Sequence, residues 1–157
     1  MTQTVEAIRR EVVVGIGRER AFEIFTADMT SWWPSAHHIG SAPIERVVVE
    51  PWEGGRWYTV HQDGSQTSTG FVRAWEPPAR LVVTWQIGSD WKYHTGLVTT
   101  VEVRFDEEGP GRTRVRLEHR DLEAFGADAA RMRETFEQPG AWDGTLAAYA
   151  AGVEAAA

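Results

Sequence analysis

The chain has 157 residues, a net charge of −7 at neutral pH, 42% hydrophobic residues and 25% charged ones. This is the make-up of one globular domain, expected to span 1–157, and not of a disordered chain. The negative charge argues against a nucleic-acid partner, which calls for a basic face, and with no cysteine there are neither disulfides nor thiolate metal sites.

The first ten residues, Met1 to Arg10, hold no apolar run of signal-peptide length, and nothing downstream is long enough to cross a membrane. A cytoplasmic location without membrane contact is the expectation. Residues 4–14 are rich in β-branched side chains and read as a first strand. After Gly15-Ile16-Gly17, Arg18 to Phe25 places Ala21, Phe22 and Phe25 on one helical face. Asp28 to Trp33 reads as a second short helix or turn with Asp28 as its N-cap, stopped by Pro34.

Strands are expected over 44–50, 56–62, 66–75 and 80–87, with Asp63-Gly64 as a hairpin turn. The loop holding Trp91, Lys92 and Tyr93 is a candidate for a lid or for a dimer contact. In 95–105, Leu97, Val101, Val103 and Phe105 share one parity. In 112–120, Thr113, Val115, Leu117 and His119 alternate with Arg112, Arg114, Arg116, Glu118 and Arg120. Such alternation describes an antiparallel sheet with one dry and one wet face. Asp128 can then cap a segment carrying Ala129, Met132 and Phe136. Beyond Pro139-Gly140, the residues Trp142, Leu146, Tyr149 and Val153 recur at helical spacing over about four turns. Strands followed by a long helix predict an α+β helix-grip fold. In it a curved antiparallel sheet of about seven strands wraps the C-terminal helix, with two short helices after the first strand and a pocket between sheet and helix.

Several segments carry a resemblance. Phe25 to Pro34, ending in Ser31-Trp32-Trp33-Pro34, is similar to the helix and W-W-x-P start of the START-like (SRPBCC) superfamily, in the branch homologous to activators of the heat-shock-protein-90 ATPase. Gly54-Gly55-Arg56-Trp57, the hairpin from Gly70 to Trp85, the strand from Thr113 to His119, and Gly140-Ala141-Trp142 with Leu146 resemble that branch in the same order. An extra Ala141 between Gly140 and Trp142 departs from the pattern and is expected to shift the helix start. The resemblance implies the helix-grip fold. It also implies a superfamily of lipid and hormone carriers, polyketide aromatase/cyclases and co-chaperones. The resemblance implies that eukaryotic co-chaperones use an additional N-terminal domain, which is not expected in these 157 residues, so a chaperone contact is an open alternative without support from the residues.

The residues themselves offer little catalytic chemistry. There is no G-x-S-x-G, no phosphate loop and no H-x-x-x-H or H-E-x-x-H; no metal and no cofactor are expected. His119 shares parity with Val115 and Leu117, so it faces inward, where it is either bonded structurally or available as acid or base. The cavity candidates are Trp32, Trp33, Tyr58, Arg73, Trp75, Trp85, His119 and Tyr149: an aromatic wall with a few polar groups. The favoured expectation is non-catalytic binding of a small apolar molecule. The alternatives are an aromatase/cyclase-like enzyme using His119, Arg73 or Tyr58, and a co-chaperone. A homodimer is open.

Overall fold

The structure is a computed structural model and describes residues 5–156; Thr4, at the start of the expected first strand, lies outside them. Seven strands form one antiparallel sheet in the order β1-β7-β6-β5-β4-β3-β2: β1 (Ile8–Val14), β2 (Ile44–Val49), β3 (Arg56–His61), β4 (Gln66–Glu76), β5 (Arg80–Trp85), β6 (Thr99–Glu107) and β7 (Thr113–Arg120). The sheet curls into a half-barrel. Helix α1 (Arg18–Thr26) and a 3-10 turn (Met29–Ser31) follow β1. After β7 come a 3-10 segment (Leu122–Asp128), helix α2 (Ala129–Glu137), an irregular turn (Pro139–Asp143) and helix α3 (Gly144–Ala156).

The strict alternation in the last two strands decides their faces. Val101, Val103, Phe105, Val115, Leu117 and His119 are buried against the helices. Their neighbours form a ladder of ion pairs on the convex side. Glu102 is the exception there, almost buried beneath Arg80, Arg104 and Arg120. Burial opposes its charge, but hydrogen bonds from Arg120 and Arg80 outweigh that and hold its pKa below the ordinary glutamate value.

Leu146, Tyr149 and Val153 of α3 are buried as the spacing predicts. The Tyr149 hydroxyl donates to the Ala21 carbonyl at 2.8 Å, and the Trp32 indole donates to the Ile24 carbonyl at 2.7 Å, so α1, α3 and the first turn are sewn together. Gly152 lets α3 come close: a Cβ there would sit 2.8 Å from Cβ of Trp32.

Three local expectations need correction. Neither Asp28 nor Asp128 caps a helix with its side chain. Asp28 pairs with Arg20 at 3.2 Å. Asp128 accepts from the Ser89 hydroxyl at 2.6 Å and pairs with Arg131, joining the start of α2 to the β5–β6 loop. The final helix begins at Gly144, not Ala141, because Ala141 adopts a non-helical backbone (φ −84°, ψ −120°). Among the described residues no helix is long and apolar enough to cross a membrane.

Candidate functional site

The interior is hollow at one end. A cavity of about 340 Å³ is lined by β3 and β4 (Trp57, Thr59, Thr67, Thr69), by Trp85 and Ile87, by the 34–43 loop (His37, His38, Ile39), by Trp91, and by Thr135, Phe136, Trp142 and Thr145. It is displaced from the expected position. Of α3 only Thr145 reaches it; the rest of that helix packs solidly on the sheet. The empty space lies toward the β2–β4 edge, covered by α2, loops and the first turn of α3.

Aromatic rings meet edge to face around the walls. Trp57 lies 5.8 Å from Trp33 and 5.9 Å from Trp85, and Trp85 lies 5.8 Å from both Phe136 and Trp142. No Asp, Glu, Lys or Arg lines the space. Trp57 Nε1, Trp85 Nε1 and His38 Nδ1 are buried without a hydrogen-bond partner among the described residues. All three belong to residues of the cavity wall, and such unpaired groups in a folded interior call for an explanation. His37 is half-buried beside the cavity. Burial lowers its pKa, more than its contact with the Gly140 backbone raises it, which favours a neutral imidazole. Trp91 stands at the mouth, half-exposed, with a left-handed backbone (φ 58°) unusual for a large side chain.

A family model described as Activator of Hsp90 ATPase homolog 1-like protein matches residues 16–142. The chain belongs to that family. Two solved structures are similar over nearly the whole length. One, an anthrahydroquino-Gama-pyrone synthase, Txn09, complexed with SUM, is 33% identical, covering 97% of this chain and 99% of that one, with a TM-score of 0.66. The other, a self-sacrificing resistance protein, CalC, from Micromonospora echinospora, is 26% identical, covering 96% and 95%, with a TM-score of 0.68. A third, protein NE0264 from Nitrosomonas europaea, is 15% identical with coverage of 96% on each side and a TM-score of 0.69, a likeness of fold alone. A comparison with curated proteins finds no match.

In this member of the Activator of Hsp90 ATPase homolog 1-like family, the residues expected at the site divide into four groups, the last holding His119 alone. Trp33 and Trp85 line the cavity. Trp32, Trp75 and Tyr149 belong to the packed interior instead: Trp32 and Tyr149 rings lie 5.2 Å apart, and Trp75 stacks edge-on against Phe22 at 5.0 Å. Burial pushes the Tyr149 hydroxyl pKa up, so it stays protonated. Tyr58 and Arg73 lie on the convex face. Tyr58 alternates with the cavity-lining Trp57 and Thr59 and carries the Arg56 guanidinium 4.0 Å above its ring. Arg73 occupies an irregularity between Val72 and Ala74 and points toward Thr100 on the outer face.

His119 is inward, as its parity requires, yet it does not line the cavity. The Trp142 indole donates to its Nδ1 at 3.1 Å, which fixes the proton of the neutral ring on Nε2. That nitrogen donates to Thr99 Oγ1 at 2.8 Å, and Thr99 donates to the Trp85 carbonyl at 2.8 Å. Desolvation pushes its pKa down to about 3. Hydrogen-bonded on both nitrogens, neutral and enclosed by Phe136, Trp85 and Trp142, it fastens the base of α3 to the sheet.

The lining residues that sequence reasoning left out include Trp57, the threonines of β3 and β4, the His37-His38-Ile39 segment, Phe136 and Trp142. Trp57 stood in the Gly54-Gly55-Arg56-Trp57 motif, where its side chain could have been weighed with the other tryptophans. A loop such as 34–43 has no periodicity from which a facing direction could be read.

Proposed function

We propose that this chain binds a small, neutral, largely apolar molecule in the cavity beside α2. The observation that carries the reading is a space of about 340 Å³ walled by Trp33, Trp57, Trp85, Phe136 and Trp142 with no permanently charged side chain in its lining. A charged ligand would lose its hydration there without a counter-charge, whereas an aromatic one gains contact on every side. The test is titration with N-phenyl-1-naphthylamine, a neutral dye that brightens in apolar surroundings. Saturable one-to-one uptake that Thr59→Phe abolishes is expected. A wild-type protein that takes up no dye overturns the reading.

The likeness to a synthase, 33% identical over almost the full chain, favours a second reading, in which a polyketide-derived aromatic compound is held and reacts in the same cavity. His119, Arg73 and Tyr58 do not serve it, since none lines the space. His37, neutral and adjacent, is the group suited to accept a proton. Conversion of an aromatic polyketide precursor, lowered at least about tenfold by His37→Ala, supports this reading. No conversion by the wild type disposes of it.

A further inference from the structure

Resting on the binding reading above, we infer that the cavity recognises a phenolic ligand, whose hydroxyl group donates to Thr67 while its aromatic body lies between the tryptophans. The argument starts at His61, which is fully buried behind the cavity floor. Its Nδ1 lies 2.8 Å from the Ala42 carbonyl. A carbonyl only accepts, so in the neutral ring the proton is on Nδ1 and Nε2 is left as an acceptor. Thr67 Oγ1 lies 2.8 Å from Nε2 and therefore donates its proton to it.

The orientation of the ring is enforced by packing. A Cβ at Gly40 would lie 2.3 Å from the His61 ring, so only glycine lets the 34–43 loop close over the imidazole and bring the Ala42 carbonyl into place. The consequence falls on Thr67. A free threonine hydroxyl both donates and accepts, but this one has spent its proton and can only accept. It therefore discriminates between ligands: an O–H finds a partner, while an ether or ketone oxygen at the same place faces lone pairs.

The neighbourhood narrows the class. Thr59 pairs with Thr67 across β3 and β4, and Thr69 lines the same floor, so three hydroxyls gather on the sheet side, while His37, His38, Thr135 and Thr145 lie elsewhere in the lining. No carboxylate lines the cavity to hold an ammonium group. The indoles of Trp33, Trp57 and Trp85 line the same space. A hydroxyl cluster with one acceptor-only member, aromatic walls and no charged lining residue suit a neutral, flat, hydroxylated aromatic molecule.

Three tricyclic probes of nearly equal shape separate the possibilities by calorimetric titration. 2-Hydroxyfluorene can donate, 2-methoxyfluorene can only accept, and fluorene does neither. The expected order is the hydroxyl compound tightest, by about three- to tenfold over the methoxy compound, as one buried hydrogen bond gives. Thr67→Val, of the same shape without the hydroxyl, brings that ratio to about one, and Thr67→Ser keeps it. Equal affinity of the wild type for hydroxyl and methoxy probes, or a ratio unchanged in Thr67→Val, overturns the inference and leaves apolar binding standing. Failure of all three probes to bind takes down both. The wild-type comparison decides the matter even if a variant does not fold.

Discussion

The two ends of the concave interior are built from the same kinds of residue and end differently. At the end under α1 and α3, Phe105 lies 5.1 Å from Phe22 and 5.6 Å from Phe25, and Tyr149 and Trp32 close the group. Below the cavity, the void among Phe25, Val103 and Leu117 amounts to about 10 Å³. At the other end Trp33, Trp57, Trp85 and Trp142 surround about 340 Å³. Aromatic content alone therefore does not make a cavity. What matters is whether a rigid helix reaches across: α3 seals the first end, and at the second the sheet outruns it.

The largest effect should come from the solid end. Phe105→Ala removes a fully buried ring touching two others, and chemical denaturation is expected to show a loss of about 3–5 kcal/mol. A loss under about 1 kcal/mol would mean that this end is not close-packed and would erase the contrast.

The boundary between the ends is sharpened by acid. His119 is neutral in the folded chain with a pKa of about 3, against an ordinary value of 6.5. Between those values the unfolded chain takes up a proton that the folded one refuses. Stability from this group is thus complete above pH 6.5 and declines as the pH falls toward 3, by about 1.4 kcal/mol per pH unit. Urea midpoints between pH 7 and 5 should fall in the wild type and fall less in His119→Gln, which cannot titrate. Parallel curves would refute the assignment.

At the hollow end, Thr59→Phe should change stability by no more than about 1 kcal/mol, since the added ring enters space already present. The same substitution should end dye uptake. Unfolding on the scale of Phe105→Ala would show that the cavity does not tolerate a ring. The smallest effect is expected at the mouth. Trp91→Ala should shift the melting curve by the equivalent of about 0.5 kcal/mol or less, because the ring is half-exposed, while speeding release of a bound dye in stopped-flow measurements.

How far the sequence could be read follows from the same contrast. Regular elements were legible: the parity of Val101, Val103 and Phe105, and the spacing of Leu146, Tyr149 and Val153, state which face is buried, and the structure agrees. The cavity was less so. In Arg56–His61 both parities carry apolar or aromatic side chains, so alternation could not say that Trp57 and Thr59 turn inward and Tyr58 outward. Register irregularities beside Trp57 and Val72 further break the count along β4 and shift Arg73 out of phase. Threonine reads as polar in a pattern although it suits a half-buried strand, which hid Thr59, Thr67 and Thr69. The position of His119 was legible from parity; its confinement by Trp142 and Thr99 depends on partners 23 and 20 residues away.

The bond between Ser89 and Asp128 has a mechanical consequence. It spans 39 positions of chain and clips the segment bearing Trp91 to the first turn of α2, whose far end supplies Thr135 and Phe136. Those two coverings are thereby coupled as one flap, while the opposite jaw, residues 34–43, is anchored separately through Ala42 to His61. For a guest of the kind proposed above, the seam where these independently fastened pieces meet would be the natural doorway.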